Sequence, residues 1–195
     1  MKQGVTLYFV RHGQTDWNFA RRIQGQTDTQ LNDTGREQAA RNGRRLVELR
    51  PDIAELAFVA SPLSRCRETM EIVRGCIGLP HDGYALDERI KEIHYGAWQG
   101  EHWPEIHTVD PDGAAARLAD PFNWRPSGGE SYADLTARAA AWSDEITQDT
   151  VVVSHGAFSR ALRGHVVGLD QDGITELRVP QDKVLILRSG EMEWA

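Results

Sequence analysis

The sequence predicts an α/β fold, a three-layer αβα sandwich with a mostly parallel central sheet. Short β-branched or aromatic apolar runs alternate with amphipathic helical patterns, and two of those runs end in a histidine followed by a glycine. At 195 residues and 40% hydrophobic content, the chain is long enough to bury a substantial core. We therefore expect residues 1–195 to form a single domain, with a short excursion at about residues 102–131 over the candidate site.

Composition and charge exclude several classes of partner. The net charge of −7 provides no general attraction for nucleic acid or for an anionic membrane surface, so any anion site must be a local group of arginines. Charged residues interrupt every apolar stretch, which argues against a membrane-spanning segment. Cys66 and Cys76 lack a C-x-x-C spacing, and free thiols in the cytoplasm are the expected state.

The first quarter of the chain predicts a strand, a loop and a helix. Val5–Val10 is apolar and β-branched or aromatic, as in a buried strand. The polar stretch 16–33 is typical of a loop over the end of that strand. Asp33 or Thr34 is expected to cap a helix from Gly35 to Leu49, which Pro51 ends.

The remaining apolar patterns continue the alternation to the end of the chain. The tail is predicted to form two strands joined by a hairpin at Pro180–Lys183. The expected strands are Leu56–Ala60, Thr150–Val153, Ile174–Val179 and Val184–Leu187, and the expected helices are Ser64–Cys76, Tyr132–Ile146 and Phe158–Val167.

Two histidines and two arginines follow strands that are expected to be parallel. Arg11 and His12 end the first strand, Arg65 follows the second, and His155 ends a later one, so one edge of the sheet can gather all four. Guanidinium groups present paired donors that suit a phosphate, and the helix N-terminus after Pro62 would add backbone donors. Neighbouring cations keep a histidine neutral and therefore nucleophilic toward phosphorus, without any metal ion.

Five motifs then follow one another in the chain. They are Arg11-His12-Gly13 with Thr15 and Asn18, Ser61-Pro62-Leu63-Ser64-Arg65 with Thr69, Glu92 ahead of Tyr95-Gly96-x-Trp98-x-Gly100, Pro126-Ser127-Gly128-Gly129-Glu130-Ser131, and Ser154-His155-Gly156. In this order they resemble the histidine phosphatase superfamily, the phosphoglycerate mutase-like proteins. The likeness extends from Val5 to about Leu169, with Cys66 in place of the usual alanine and Gln99 in place of a common glutamate.

The resemblance implies a catalytic set that needs no metal and no cofactor, acting on a small phosphorylated metabolite. From the residues alone, Glu88 and Glu101 are as plausible as Glu92 for the acid that protonates the leaving group. The roles that the resemblance implies are a nucleophile that becomes phosphohistidine (His12), phosphoryl-group contacts (Arg11, Arg65 and His155), a phosphate-pocket residue (Asn18), a proton donor (Glu92), and residues near the substrate (Gln24, Gly25 and Tyr95).

Rival enzyme classes have weaker support in the sequence. A metal-dependent phosphohydrolase would need paired ligands, but His81-Asp82 lies in a predicted connection, and His94, His102 and His107 are best explained as loop or surface residues. The sequence contains no G-x-S-x-G motif, which is the pattern that would indicate a serine hydrolase. A catalytically inactive binding protein is disfavoured because every motif residue needed for chemistry is present.

Within the family, the alternatives are a phosphatase and a cofactor-dependent mutase. A mutase must exclude water and hold a second anionic group, which requires a substantial basic lid. Between Trp103 and Pro126 the chain has Arg117 and Arg125, but four carboxylates accompany them. We therefore expect a phosphomonoester phosphatase, with the mutase as the alternative, and expect Trp103 and Trp124 to shape substrate access.

Overall fold

A six-stranded sheet lies at the centre of the computed structural model, which describes residues 1–195. The strands are β1 (Leu7–Arg11), β2 (Ala57–Ala60), β3 (Ala85–Leu86), β4 (Thr150–Ser154), β5 (Val184–Arg188) and β6 (Glu191–Trp194). Their order across the sheet is β3-β2-β4-β1-β5-β6. The first four strands are parallel to one another, whereas β5 and β6 are antiparallel to their neighbours. The predicted mostly parallel sheet is confirmed.

Helices cover both faces of this sheet. They are α1 (Asp16–Phe19), α2 (Asp33–Leu49), α3 (Ser64–Ile77), α4 (Ile106–Val109), α5 (Pro111–Ala119), α6 (Tyr132–Asp144), α7 (Gly156–Val167) and α8 (Gln171–Glu176). Alternate residues of each strand point to opposite faces. Phe9 of β1 packs in a buried cluster with Trp142 and Phe158 of α6 and α7, while Val10 packs in a second cluster with Leu46 and Met70 of α2 and α3. The three-layer architecture is therefore confirmed.

Parallel pairing brings the carboxyl ends of β1, β2 and β4 to the same edge. The His12 amide donates to the Ser154 carbonyl at 2.9 Å, and the Ser61 amide donates to the Val153 carbonyl at 3.0 Å. These bonds continue the sheet ladder one residue past each strand. The residues that follow the three strands therefore lie side by side.

Most predicted helices begin and end within two residues of their observed limits. The cap of α2 differs from the prediction, because Asn32, and not Asp33 or Thr34, accepts the Gly35 amide at 2.9 Å through its Oδ1. The segment predicted as a loop between β1 and α2 contains the short helix α1, which Thr15 caps.

The prediction for the tail of the chain is wrong. Ile174–Val179 is not a strand: its first residues belong to α8, which the Asp170 side chain caps, and the segment after α8 is irregular. Ile174 is buried against Gly164, where an added Cβ would lie 2.2 Å from its Cγ1. The hairpin joins β5 to β6 around Gly190, which has a φ of +79°, and does not lie at Pro180–Lys183.

The excursion contains a 3₁₀ turn (Trp103–Glu105), α4 and α5. Trp98, from the preceding turn, is 2% exposed, stacks on Trp124 at 4.3 Å between ring centroids, and donates its indole N–H to Asp110. Trp98 is therefore a packing residue of a small third cluster.

That residues 1–195 form a single domain stays a prediction. None of the helices combines the length and the hydropathy needed to cross a bilayer.

Two glycines allow the loop after β1 to contact the N-terminus of α2. A Cβ on Gly13 would lie 2.2 Å from the Gly35 carbonyl oxygen, and a Cβ on Gly35 would lie 2.1 Å from the Gln14 carbonyl oxygen. The atoms that would clash are backbone atoms, which cannot move without displacing His12. This contact fixes the position of the loop relative to the helix.

We predict that Gly35→Ala destabilises the protein by about 1–3 kcal/mol, because overpacking outweighs the gain in helix propensity. Gly75→Ala in α3 is the matched control. Its Cβ would lie 3.7 Å from the nearest atom, so the same substitution there should stabilise by about 0.5–1 kcal/mol. Urea unfolding of both variants measures the two effects, and stabilisation by Gly35→Ala would contradict the close contact.

Candidate active site

A cleft of about 490 Å³ opens at the edge of the sheet where β1 and β4 end. Six of the residues predicted from the sequence line it: Arg11, Asn18, Gln24, Gly25, Glu92 and Tyr95. The other three predicted residues are buried, with exposures of 2% for His12, 0% for Arg65 and 0% for His155. The structure thus brings all nine predicted residues to one region of the molecule.

Arg65 is fully buried and Arg11 is half-buried, and neither forms an ion pair with a carboxylate. The Arg11 Nη1 donates to the Val179 carbonyl at 2.7 Å, and the Arg65 Nη2 donates to the Gly25 carbonyl at 2.7 Å. The buried Nε atoms of both arginines have no hydrogen-bond partner. Burial lowers the pKa of both guanidinium groups, yet they stay charged. Their unpartnered donors are suited to bind an anion.

His12 is held in a single neutral tautomer. Its Nδ1 lies 2.8 Å from the Gly13 carbonyl oxygen, which can only accept, so Nδ1 carries the hydrogen and Nε2 has a free lone pair. Burial lowers the pKa of His12 well below its usual 6.5, and the charges of Arg65 and Arg11 lower it further. The ring is therefore neutral and nucleophilic at physiological pH.

His155 follows β4 and is the residue that precedes α7. Its Nε2 lies 2.7 Å from the Ser61 Oγ and 3.4 Å from the Cys66 Sγ, and its ring centroid is 5.2 Å from that of His12. Burial, followed by the charge of Arg65, lowers the pKa of His155 well below 6.5. Cys66 occupies the position beside this ring, and burial raises the pKa of its thiol, so it stays protonated.

Glu92 reaches the cleft from the turn after β3. Its Oε1 accepts backbone amides from Ile93 at 3.1 Å, from Ala157 at 3.0 Å and from Phe158 at 3.2 Å. The last two belong to the first turn of α7, where a carboxylate is favourable. The Oε2 makes a single longer contact, to the Ala157 amide at 3.2 Å. Neither Glu88 nor Glu101 lines the cleft.

Two side-chain amides are oriented by their oxygens. The Gln24 Oε1 accepts the hydroxyls of Thr15 and Thr29, and the Asn18 Oδ1 accepts the Thr15 amide and the Gln181 Nε2. Each amide nitrogen is therefore left as a donor in the cleft that the residue lines. Burial raises the pKa of Tyr95 well above 10, which keeps its hydroxyl protonated.

The first turn of α3 does not offer the expected backbone donors to the cleft. The first turn of α3 is engaged by Asp28, whose Oδ1 accepts the Ser64 amide at 2.8 Å and whose Oδ2 accepts the Ser64 hydroxyl at 2.6 Å. The helix whose start lines the cleft is α7, through Gly156 and Ala157. The prediction of an anion site at the N-terminus after Pro62 is therefore wrong.

Four further arginines line the cleft: Arg22, Arg117, Arg160 and Arg178. Of these, only Arg117 lies in the excursion. The acidic composition of the excursion predicts that it cannot hold a second anion, and the cleft differs from this prediction. The excursion carboxylates do not line the cleft, whereas arginines from three other segments do. None of the five motifs contains these arginines, although Arg160 follows the motif residue His155 by five residues on α7.

No group of three or more histidine, cysteine, aspartate or glutamate side chains is arranged to hold a metal ion. His94 accepts the Gly96 amide through Nδ1, and His102 makes a contact to the Ala20 carbonyl, so each has a structural role in its loop.

The fold and the cleft define an α/β protein in which arginine donors are gathered beside a neutral buried histidine. The chain belongs to the histidine phosphatase superfamily (branch 1), whose family model matches residues 7–195. It is 36% identical over 178 residues to a glucosyl-3-phosphoglycerate phosphatase of Mycolicibacterium vanbaalenii, covering 85% of this chain and 76% of that protein. It is 33% identical over 163 residues to a metal-independent phosphoserine phosphatase of Arabidopsis thaliana, covering 80% and 66%.

A solved structure shares the same fold over nearly its whole length. The mycobacterial glucosyl-3-phosphoglycerate phosphatase Rv2419c, in complex with VO3, superposes with a TM-score of 0.82 at 28% identity, covering 98% of each chain. Proteins named as probable phosphoglycerate mutases also match, for example at 31% identity over 180 residues in Erwinia tasmaniensis, covering 90% of this chain and 80% of that protein. The resemblance predicted from the five motifs is confirmed.

We predict that His12 is still a neutral Nδ1–H imidazole at pH 6.5, where an ordinary imidazole is half protonated, because burial and two arginines oppose its protonation. Imidazole ¹⁵N shifts measure both the tautomer and the titration, with His12 assigned by the signal lost in His12→Gln. Arg65→Gln should raise the pKa of His12, since it removes one of the two charges. A protonated His12 ring at pH 6.5 would contradict the assignment.

Proposed function

We propose that this protein is a metal-independent phosphomonoester phosphatase that acts through a phosphohistidine on His12. One observation carries the proposal: the free Nε2 of a neutral, buried His12 lies in a site with Arg11 and Arg65, whose Nε donors have no protein partner. A nucleophile and a set of cationic donors are the two parts that phosphoryl transfer needs. Membership of the histidine phosphatase superfamily supports the same reaction.

In the first step the His12 Nε2 attacks phosphorus, a P–N bond forms and the P–O bond to the leaving alcohol breaks. Arg11 and Arg65 stabilise the charge on the equatorial oxygens, and the amide nitrogens of Asn18 and Gln24 add neutral donors. In this proposal the Ser61 hydroxyl donates to the His155 Nε2, so that Nδ1 carries the ring hydrogen and donates to a phosphoryl oxygen.

Glu92 transfers the protons in this proposal. Its Oε1 is fixed by backbone amides, so the less engaged Oε2 gives a proton to the leaving oxygen. In the second step the Glu92 carboxylate takes a proton from water as its oxygen attacks phosphorus. The P–N bond breaks, inorganic phosphate leaves, and both His12 and the protonated Glu92 are restored.

The substrate is proposed to be a small phosphorylated metabolite. Relatives named for glucosyl-3-phosphoglycerate and for phosphoserine support this class, and a cleft of about 490 Å³ is of the size that small molecules occupy. We also propose that the protein works in the cytoplasm, because Cys66 and Cys76 are both free thiols.

A phosphoglycerate mutase is the second candidate, favoured by the arginines of the cleft and by relatives with that name. Hydrolysis is better supported by the packing of the excursion. No residue of α5 is buried, and Leu118 is 79% exposed, so α5 does not close tightly over the cleft. A mutase has to keep water from its phosphoenzyme, which needs such a closure.

We predict that phosphate release from a generic phosphomonoester survives EDTA and falls to background in His12→Ala. Rapid mixing with ³²P-labelled substrate and a quench into base should trap an acid-labile phosphoryl group on the wild-type protein and none on His12→Ala. His165→Gln is the matched control, because that histidine lies on the surface of α7 and pairs with Asp144. Loss of activity with chelator would contradict the metal-independent mechanism.

The same protein preparation tests the mutase. With 3-phosphoglycerate and 2,3-bisphosphoglycerate, the phosphatase should release inorganic phosphate and form little 2-phosphoglycerate. Rapid interconversion of the two monophosphates without phosphate release would overturn the phosphatase in favour of the mutase.

We predict that Glu92→Gln lowers the rate of His12 phosphorylation by an alkyl phosphate, measured in a single turnover, by about 10²–10⁴, the usual contribution of a general acid. The same variant should lose much less with p-nitrophenyl phosphate, because p-nitrophenolate leaves without protonation. Glu88→Gln, which removes an exposed carboxylate paired with Lys91, should match the wild type on both substrates. Equal losses on the two substrates would exclude Glu92 as the proton donor.

A further inference from the structure

The outer part of the cleft carries more positive charge than one phosphoryl group requires. Beyond Arg11, it is lined by Arg22, Arg117, Arg160 and Arg178, and the one acidic side chain in its lining is Glu92. None of these arginines forms a salt bridge, although the chain has an excess of carboxylates and pairs seven of its other arginines. Their charges are therefore uncompensated within the protein.

Three of the four arginines are held in place by uncharged groups. Arg160 donates through Nε to the Leu177 carbonyl at 2.7 Å and through Nη1 to the Tyr132 hydroxyl at 3.0 Å, which leaves Nη2 without a protein partner. Arg117 lies over the Trp103 ring at 5.1 Å. Arg22 lies over the Trp17 ring at 5.3 Å. Such contacts fix a guanidinium group without neutralising it.

Arg178 lies in the segment 177–179, and each backbone carbonyl of this segment accepts a hydrogen bond from an arginine. Arg160 binds the Leu177 carbonyl, Arg163 binds the Arg178 carbonyl at 2.8 Å, and Arg11 binds the Val179 carbonyl at 2.7 Å. The backbone of this segment is thus fixed at the wall of the cleft, while the Arg178 side chain makes no hydrogen bond within the protein.

We propose that Arg117, Arg160 and Arg178 form a second anion subsite, so that the preferred substrate carries an additional anionic group on its leaving alcohol. This inference rests on the proposed phosphatase function. Paired guanidinium donors bind carboxylate and phosphate alike, and the subsite accepts either group. Arg22 also lines the cleft and adds to its positive charge.

Binding measured by calorimetry on His12→Gln, which cannot turn over, tests the subsite separately from catalysis. 3-Phosphoglycerate and glycerol 3-phosphate differ only in a carboxylate against a hydroxymethyl group, and fructose 1,6-bisphosphate and fructose 1-phosphate differ by one phosphate. We expect the more anionic member of at least one pair to bind about tenfold more tightly or better, and the responding pair identifies the anion. Equal affinities within both pairs would overturn the subsite.

Adding Arg178→Gln to this background should reduce the ratio of affinities within the responding pair to near one, as should Arg117→Gln. Arg178→Gln breaks no hydrogen bond within the protein, so its result does not depend on a change in folding. Arg125→Gln is the control, because Arg125 lies on the same excursion but pairs with Asp134 outside the cleft, and it should keep the ratio. A ratio unchanged by Arg178→Gln and Arg117→Gln would also overturn the subsite.

Turnover by the wild-type protein distinguishes the two proposals. Discrimination in binding without hydrolysis of any phosphomonoester would refute the phosphatase and leave the subsite supported. Hydrolysis of both members of each pair with equal kcat/KM, together with equal affinities, would support the phosphatase and refute the subsite.

Discussion

The site depends on two arginines, one fully and one partly buried, that have no counter-charge. Arg65 is fully buried, and it and Arg11 are met by backbone carbonyls of Gly25, Thr27 and Val179 rather than by carboxylates. Removing a charge from water is costly unless hydrogen bonds replace the lost solvent, and carbonyl dipoles replace part of it. The Nε atoms of both arginines have no partner, and in the proposed function the phosphoryl group supplies the negative charge that the protein does not.

Burial and the same two charges together determine the protonation state of His12 and His155. Because Arg65 and Arg11 lie close, a proton on His12 or His155 would add a third positive charge to a site with low solvent exposure, and the pKa of each ring falls accordingly. The Gly13 carbonyl then selects the tautomer of His12, and the Gly13–Gly35 contact fixes the position of that carbonyl. Backbone geometry and buried charge thus act together on one nitrogen atom.

The buried part of this site, His12, Arg65 and His155, is predictable from the sequence because these residues follow strand ends and lie in short motifs. His12, Arg65 and His155 are fixed by the parallel ladder, which any reading of buried strands predicts. Arg178 was missed because Ile174–Val179 has the strand-like pattern of apolar and β-branched residues. Contacts with other residues override that pattern. Asp170 caps a helix, and Ile174 fills the space beside Gly164. Arginine side chains donate to the backbone carbonyls that would otherwise pair with a neighbouring strand.

The net charge of a segment was a poor guide to the charge of the cleft. The excursion is acidic in sequence, but Asp110 is engaged with the Trp98 indole and the Gly113 amide, and Asp120 with Asn123, so these carboxylates serve local structure. Arg117 of the same segment lines the cleft instead. A chain of net charge −7 therefore presents a strongly basic cleft, and the field that a substrate meets is set by which side chains the fold leaves unpaired. Charge alone consequently does not separate hydrolysis from transfer to a second hydroxyl. That distinction depends on water access, and in the proposed reaction the loosely packed α5 would admit water to the phosphorylated His12.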